Sequence, residues 1–228
     1  MNLNNFEKKV YSQFNEDGII EQIFNLIGVT NKICVEFGVQ TGSECCTRYL
    51  REAHNFDCRL FDNNYENLNI NLKKETLTVD NVWDVFSKND IPEDFDLLVV
   101  DIDSYDFYVL HKILQKYNPR VLLLETNPTF LNEDKVIMLD HRLNDGAYHG
   151  ASLRAWYNSL NTKFDLVCHE SNGINCFFTQ KGILNSDIVD NINDVDKLHR
   201  QHQHLYNYKP YDSSFKILNS EEALKLVR

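Results

Sequence analysis

Four apolar runs in this chain lead into a carboxylate. Ile33-Cys34-Val35 runs into Glu36, Cys58-Arg59-Leu60-Phe61 into Asp62, Leu97-Leu98-Val99-Val100 into Asp101, and Leu122-Leu123-Leu124 into Glu125. No folding requirement puts an acid at each of these strand ends, so the pattern implies a sheet with one edge built to meet a polar ligand. Strand candidates at 33–37, 58–62, 75–79, 96–101 and 120–125 alternate with helix-like stretches at 43–54, 64–72, 81–88 and 104–116. That alternation predicts a parallel sheet joined by right-handed crossovers. Two later candidates, 164–169 and 174–179, are separated only by a short polar turn containing Ser171-Asn172-Gly173. The turn is too short for a parallel crossover and predicts an antiparallel hairpin. Ahead of the first strand, Ile19, Ile20, Ile23, Phe24 and Ile27 recur at helical spacing until Gly28, which predicts a helix over 16–27. The fold class is α/β, Rossmann-like: a seven-stranded, mostly parallel sheet with a terminal antiparallel hairpin and helices on both faces.

The 228 residues, 43% of them hydrophobic, suit one domain spanning 1–228, with a core over 33–180 and a polar tail over 190–228. A surplus of 34 acidic over 23 basic residues gives a net charge of −11, which repels phosphate backbones and anionic membranes. Nucleic acid is thereby excluded as a partner. No window reaches the roughly 18 apolar residues of a membrane span, and the six cysteines contain no C-x-x-C pair. The expectation is a cytoplasmic protein with reduced thiols and no membrane insertion; self-association is left open.

The segment Glu36-Phe37-Gly38-Val39-Gln40-Thr41-Gly42 places two glycines four apart directly after an acid. It lacks the three-glycine dinucleotide fingerprint. An acid, a tight glycine turn and a helix start suit a ligand carrying a charged amine and a ribose, which points to S-adenosylmethionine. An ordinary turn that needs glycine is the alternative. Asp62, about twenty residues further on, is placed to accept ribose hydroxyls, or else caps a helix. Asp80 and Asn81 lie where an adenine edge would fall, and Asp80 serves equally well as a helix cap. Asp101, Asp103 and Asp106 crowd three carboxylates into six residues, with Glu125 and Asn127 expected beside them. Oxygen ligands at Asp101, Glu125 and Asn127 suit Mg²⁺ or Mn²⁺; a cap-and-turn network without metal accounts for them equally. About 24 residues, 126–149, separate the fifth strand from the next helix, long enough for a lid. His141, Arg142, Tyr148 and His149 within it offer donors, and His149 either orients or deprotonates an acceptor or packs at a helix start. His199, His202 and His204 read as a solvated helix face or a metal tract.

Tyr11-Ser12-Gln13-Phe14-Asn15-Glu16-Asp17-Gly18, Val35-Glu36-Phe37-Gly38, Asp101-Ile102-Asp103, Leu124-Glu125-Thr126-Asn127 and Gly150-Ala151-Ser152-Leu153, in that order, resemble the FkbM-type branch of class I S-adenosylmethionine-dependent methyltransferases. The resemblance implies that branch's sheet, whose seventh strand is antiparallel, and O-methylation, often of sugars in surface polysaccharides, glycolipids or natural products. It also implies cofactor contacts from Glu36, Gly38, Gly42 and Asp62 and a methyl-transfer site lined by Asp101 to Asp103. The full expected cofactor set is Gln13, Glu36, Gly38, Gly42, Ser43, Asp62, Asn63, Asn81, Asp101 and Ile102, with Asp103 or His149 as the base. Ser104 stands where branch members often carry glycine, and also where metal-dependent catechol-type enzymes carry a lysine. The acceptor expected is a hydroxyl of a sugar or glycoconjugate precursor. Nitrogen or phosphoryl-oxygen methylation, and a non-catalytic cofactor-binding partner in a biosynthetic complex, are the other readings.

Overall fold

The computed structural model describes residues 1–103, 105–139, 150–202 and 215–227. Its main sheet contains β1 (Ile33–Phe37), β2 (Asp57–Asp62), β3 (Leu72–Lys74), β4 (Asp94–Val100) and β5 (Asn118–Glu125). After the short β6 (Val136–Ile137), β7 (Phe164–His169) and β8 (Asn175–Gln180) complete it, and β9 (Ile217–Leu218) pairs antiparallel with β6 in a separate ribbon. The strand order is β3-β2-β1-β4-β5-β8-β7. The β1 to β5 pairs are parallel, whereas β8 runs antiparallel to both β5 and β7. This is a Rossmann-like arrangement, a doubly wound sheet with one reversed strand. Chain order reverses between β1 and β4, the switch point outside which such sheets open a crevice.

Period-two alternation sorts the apolar side chains onto two faces. Val35, Phe37, Leu98, Val100, Leu122 and Leu124 pack under α3 (Val82–Lys88), α4 (Asp106–Ile113) and α5 (Leu153–Leu160). Cys34, Leu97, Val99, Val121 and Leu123 face α1 (Glu16–Ile27) and α2 (Arg48–His54). Continuous burial of β4 from Phe95 to Val100 is what a parallel strand covered on both sides requires.

Three local expectations are corrected. The third strand occupies 72–74 rather than 75–79, and 64–72 forms only a 3₁₀ turn at Leu68–Ile70. Asn67 caps that turn through its own side chain and Asn71 adopts φ 57°, so the asparagines bend the chain back. Leu72 then buries against the sheet opposite Leu60. The first crossover helix begins at Arg48 instead of 43, because Glu36 takes the amides of Cys46 and Thr47. Within the tail expected over 190–228, α6 (Val195–Leu198), β9 and α7 (Ser220–Leu224) pack on the body, with Leu198, Leu218 and Ala223 buried. An Asn219–Glu222 capping box starts α7. Among the described residues no helix is long and apolar enough to cross a membrane.

One buried pair ties α1, β4 and β5 together. Asp96 of β4 accepts from the amides of Thr30, Asn31 and Lys32 and from Arg120 Nη1 at 2.8 Å. Arg120 also donates to the Ile27 and Gly28 carbonyls at the end of α1. Burial works to raise the Asp96 carboxyl, but Arg120 and the Thr30 and Lys32 donors outweigh it and hold the group below its ordinary value. Its stabilisation is therefore full above the unfolded carboxylate range and lost as pH falls through the lowered native value. We expect Asp96→Ala to lose about 3–5 kcal/mol in urea unfolding at neutral pH, with the gap to the unsubstituted protein narrowing below about pH 4.

Candidate functional site

A cavity of about 550 Å³ opens at the carboxyl ends of β1, β2 and β4. Such a volume is within the range of small-molecule sites, roughly 300–1,000 Å³. Phe37 and Phe61, stacked with centroids 5.2 Å apart, contribute an apolar floor. Gly38, Gln40, Asp62, Asn63, Asn64 and Tyr65 line one side, Glu75, Thr76 and Leu77 another, and Asp101, Ile102, Asp103 and Tyr105 a third. Four of these residues are acids and none is lysine or arginine; Glu75 is paired with Lys88 at 2.5 Å.

Gly38 permits this geometry. Its φ is +79°, and a Cβ there would stand 1.6 Å from the Asp101 carbonyl oxygen. Only glycine lets the exits of β1 and β4 touch. Gly42, at φ +73°, lies outside the cavity lining and supports the same turn, where a Cβ would meet Ile70 Cδ1 at 2.5 Å.

Of the expected cofactor residues, Gly38, Asp62, Asn63, Asp101 and Ile102 line the cavity, as does Asp103. The others stand behind or beside it. Glu36 is 4% exposed and accepts from Cys46 N at 2.8 Å, Thr47 N at 2.9 Å and Thr47 Oγ1 at 2.6 Å. Burial raises its carboxyl, and these donors pull it partly back. Its carboxylate thus holds the β1–α2 turn from beneath. Asn81 braces the 76–78 turn, accepting from Thr78 N and donating to the Thr76 carbonyl, both at 2.8 Å. It falls behind the lining because β3 ends earlier than expected, which brings Glu75 to Leu77 forward. Gln13 and Ser43 are exposed on the neighbouring N-terminal loop and turn, which are joined by the Lys9–Glu44 ion pair at 3.0 Å and by Arg48 stacked 4.1 Å from the Tyr11 ring centre. Asp62 is a clamp as well as a wall: one oxygen takes Gln40 N at 2.7 Å, and the other takes Asn64 N at 2.8 Å and Tyr65 N at 3.2 Å.

Along the edge, Asp101, Asp103 and Glu125 each offer an oxygen within 4.8 Å of the others. Burial pushes Asp101 well above its ordinary value, and Asp106, Asp103, Glu36 and Glu16 add to the rise. Glu125 rises likewise, first by burial and then by repulsion from Asp101, Asp103 and Asp106. Such a group holds either shared protons or a cation. Asp103 completes the trio, whereas the Asn127 side-chain oxygen accepts from Thr129 N at 3.0 Å and Thr129 Oγ1 at 2.6 Å. Glu16 at the start of α1 reaches the same edge: it is fully buried and accepts from Asn175 Nδ2 at 2.5 Å, and Asn175 pairs with Glu125 across β5 and β8. His141, Arg142, Tyr148 and His149 lie outside the described residues, as does His204. His202 Nδ1 bonds the Asn172 carbonyl at 2.8 Å, and Asp101, Asp103 and Glu125 are the only metal-suited acid, histidine or cysteine group among the described residues.

Sequence reasoning missed Gln40, Asn64, Tyr65, Glu75, Thr76, Leu77 and Tyr105. Asn64 and Tyr65 directly follow a recognised strand end, which was the available signal; Tyr65 is 45% exposed at the rim.

No family model matches this chain, and no curated protein does. Among solved structures the chain is similar to an O-methyltransferase from Bacillus cereus in complex with SAH, with a TM-score of 0.45 and 16% identity over 78% of this chain and 85% of that one. A direct test of the site's frame is Gly38→Ala: the side chain collides with backbone, so we expect a loss of at least about 2 kcal/mol in denaturant unfolding.

Proposed function

We propose that the protein is an S-adenosylmethionine-dependent methyltransferase acting on a hydroxyl of a small polar acceptor. The observation that carries this reading is the cavity at the switch point, whose lining among the described residues has four carboxylates and no lysine or arginine. Such a lining repels pyrophosphate and favours a ligand with net positive charge. S-adenosylmethionine joins a sulfonium and an amine to a nucleoside, and when bound it supplies an electrophilic methyl group.

The residues fit that ligand. Gly38 lines the cavity where the exits of β1 and β4 touch, Asp62, Asn63 and Asn64 offer polar atoms to a ribose, and Tyr65 offers a ring face at the rim. Asp101 and Asp103 place negative charge toward the cationic end. Methyl transfer forms a carbon–oxygen bond as the carbon–sulfur bond breaks, its electron pair staying on sulfur, and the acceptor hydroxyl must give up a proton. Asp103, exposed at the mouth, accepts that proton in a metal-free site. The oxygen-only set of Asp101, Asp103 and Glu125 also fits Mg²⁺ or Mn²⁺, which would polarise the acceptor hydroxyl and relieve the carboxylate crowding. The choice of a sugar or glycoconjugate acceptor rests on the sequence motifs alone, and a cytoplasmic setting on the composition and cysteine usage of the sequence.

S-adenosylmethionine at a hundred times its dissociation constant should stabilise the protein by roughly 2.7 kcal/mol, while NADH leaves its melting unchanged. Asp62→Ala should weaken that binding by about 1.5–3 kcal/mol in calorimetry; equal affinity in the folded variant rejects the ribose role.

The metal reading has its own measurement. Mn²⁺ binding followed by paramagnetic relaxation should be lost in Glu125→Gln, and excess chelator should lower methyl transfer to saccharide acceptors by about tenfold or more. Full turnover in chelator with no bound metal would leave Asp103 as the base.

A further inference from the structure

His169 and Thr126 are buried polar side chains that the chemistry above leaves unused, 1% and 2% exposed. The backbone N–H of Arg200 donates to His169 Nδ1 at 3.0 Å, so that nitrogen carries a lone pair. Burial, aided by the charges of His199 and Arg200, depresses the imidazole to about 3, so the ring is neutral and its proton sits on Nε2. Nε2 lies 3.3 Å from Thr126 Oγ1. The threonine hydroxyl donates onward to the Ile174 carbonyl at 2.9 Å. The series runs from Arg200 to His169, from His169 to Thr126 and from Thr126 to Ile174, and the Gly173 carbonyl is a second acceptor beside it, 3.4 Å from Thr126 Oγ1 and bonded by His169.

Three segments meet at this point. Asn4 Nδ2 donates to the His169 carbonyl at 3.0 Å, and Thr126 N donates to Ile174 O at 2.7 Å. Gly173 has φ +75°, and a Cβ there would stand 2.4 Å from the Arg200 carbonyl, so the 200–202 segment lies directly on the β7–β8 turn. Thr126 in turn stands between Glu125 and Asn127 at the end of β5.

We propose that His169 is the positioning residue of the acceptor edge: it couples the docking of residues 200–202 on the β7–β8 turn to Thr126, and so to the orientation of Glu125 and Asn127. The term acceptor edge rests on the methyl-transfer reading; the coupling does not.

The test uses the full chain with Thr126→Val, Thr126→Ser and His169→Asn. Long-range ¹H–¹⁵N spectra of the imidazole should show the Nε2–H tautomer throughout about pH 5 to 8. Thr126→Val should speed amide exchange about tenfold both at 125–127 and at 200–202. Thr126→Ser, which keeps the hydroxyl, should restore both regions. His169→Asn, which keeps an acceptor near Arg200 but does not reach Thr126, should loosen 125–127 more than 200–202. An Nδ1–H tautomer, or exchange in Thr126→Val that rises at 125–127 alone, overturns the proposal. Failure of the unsubstituted protein to bind S-adenosylmethionine in calorimetry would remove the methyl-transfer reading, while the exchange data decide the coupling by themselves.

Discussion

The contact between Gly38 and the Asp101 carbonyl sets the dimensions of everything above the sheet. At a virtual Cβ distance of 1.6 Å the two strand exits share a space that no other residue admits. β1 and β4 are the neighbours across which chain order reverses, so their loops depart to opposite sides and leave a crevice between them. Because the exits touch, the crevice closes at its base: Phe37 and Phe61 become a floor, and Asp62 and Asp101 come to face one volume. A wider spacing would separate the carboxylates and admit water between them.

The acids of this sheet are of two kinds, with Asp96 at its amino end and the others at its carboxyl end. Asp96, Glu36 and Asp62 are saturated with backbone amides or arginine, and each stitches a turn to a strand. Asp101, Asp103 and Glu125 crowd one another instead, and burial together with repulsion raises Asp101 and Glu125. Asp96 and Glu36 hold the frame, while Asp62, Asp101, Asp103 and Glu125 are the acids on which the proposed function draws.

Much of this was legible in the residues. The acids at 36, 62, 101 and 125 follow apolar runs, so their strands and their common edge could be read from pattern alone, as could the reversed strand from the short Ser171-Asn172-Gly173 turn. What pattern cannot carry is where a side chain spends its hydrogen bonds. Glu36 looked like a ligand residue because its partners, the amides of Cys46 and Thr47, have no sequence signature. The third strand was misplaced because three residues, Leu72–Lys74, are too few to show a period, and the register is set by burial of Leu72 after an asparagine-rich turn. Asn81 was displaced with it, and Glu75 to Leu77 were overlooked for the same reason. The docking of the tail depends on β9 and α7, each shorter than a window that resolves amphipathicity.

The reversed strand has a consequence beyond topology. Because β8 runs against β5, the turn joining β7 to β8 returns to the ligand edge, and Asn175 lands opposite Glu125. A parallel strand in that place would begin at the far end of the sheet and bring a crossover, with no turn at this edge. The reversal thus delivers Ser171 and Asn172 to a position where the N-terminal segment bonds the first and residues 200–202 the second: Ser171 N donates to Glu7, and Asn172 O meets His202. Segments from both ends of the described chain therefore converge on the β7–β8 turn, and one of their hydrogen bonds, from Arg200 N, ends on the buried His169 imidazole. The carboxyl edge of the sheet is in this way built from segments at both ends of the described chain, although the sheet itself is complete by Gln180.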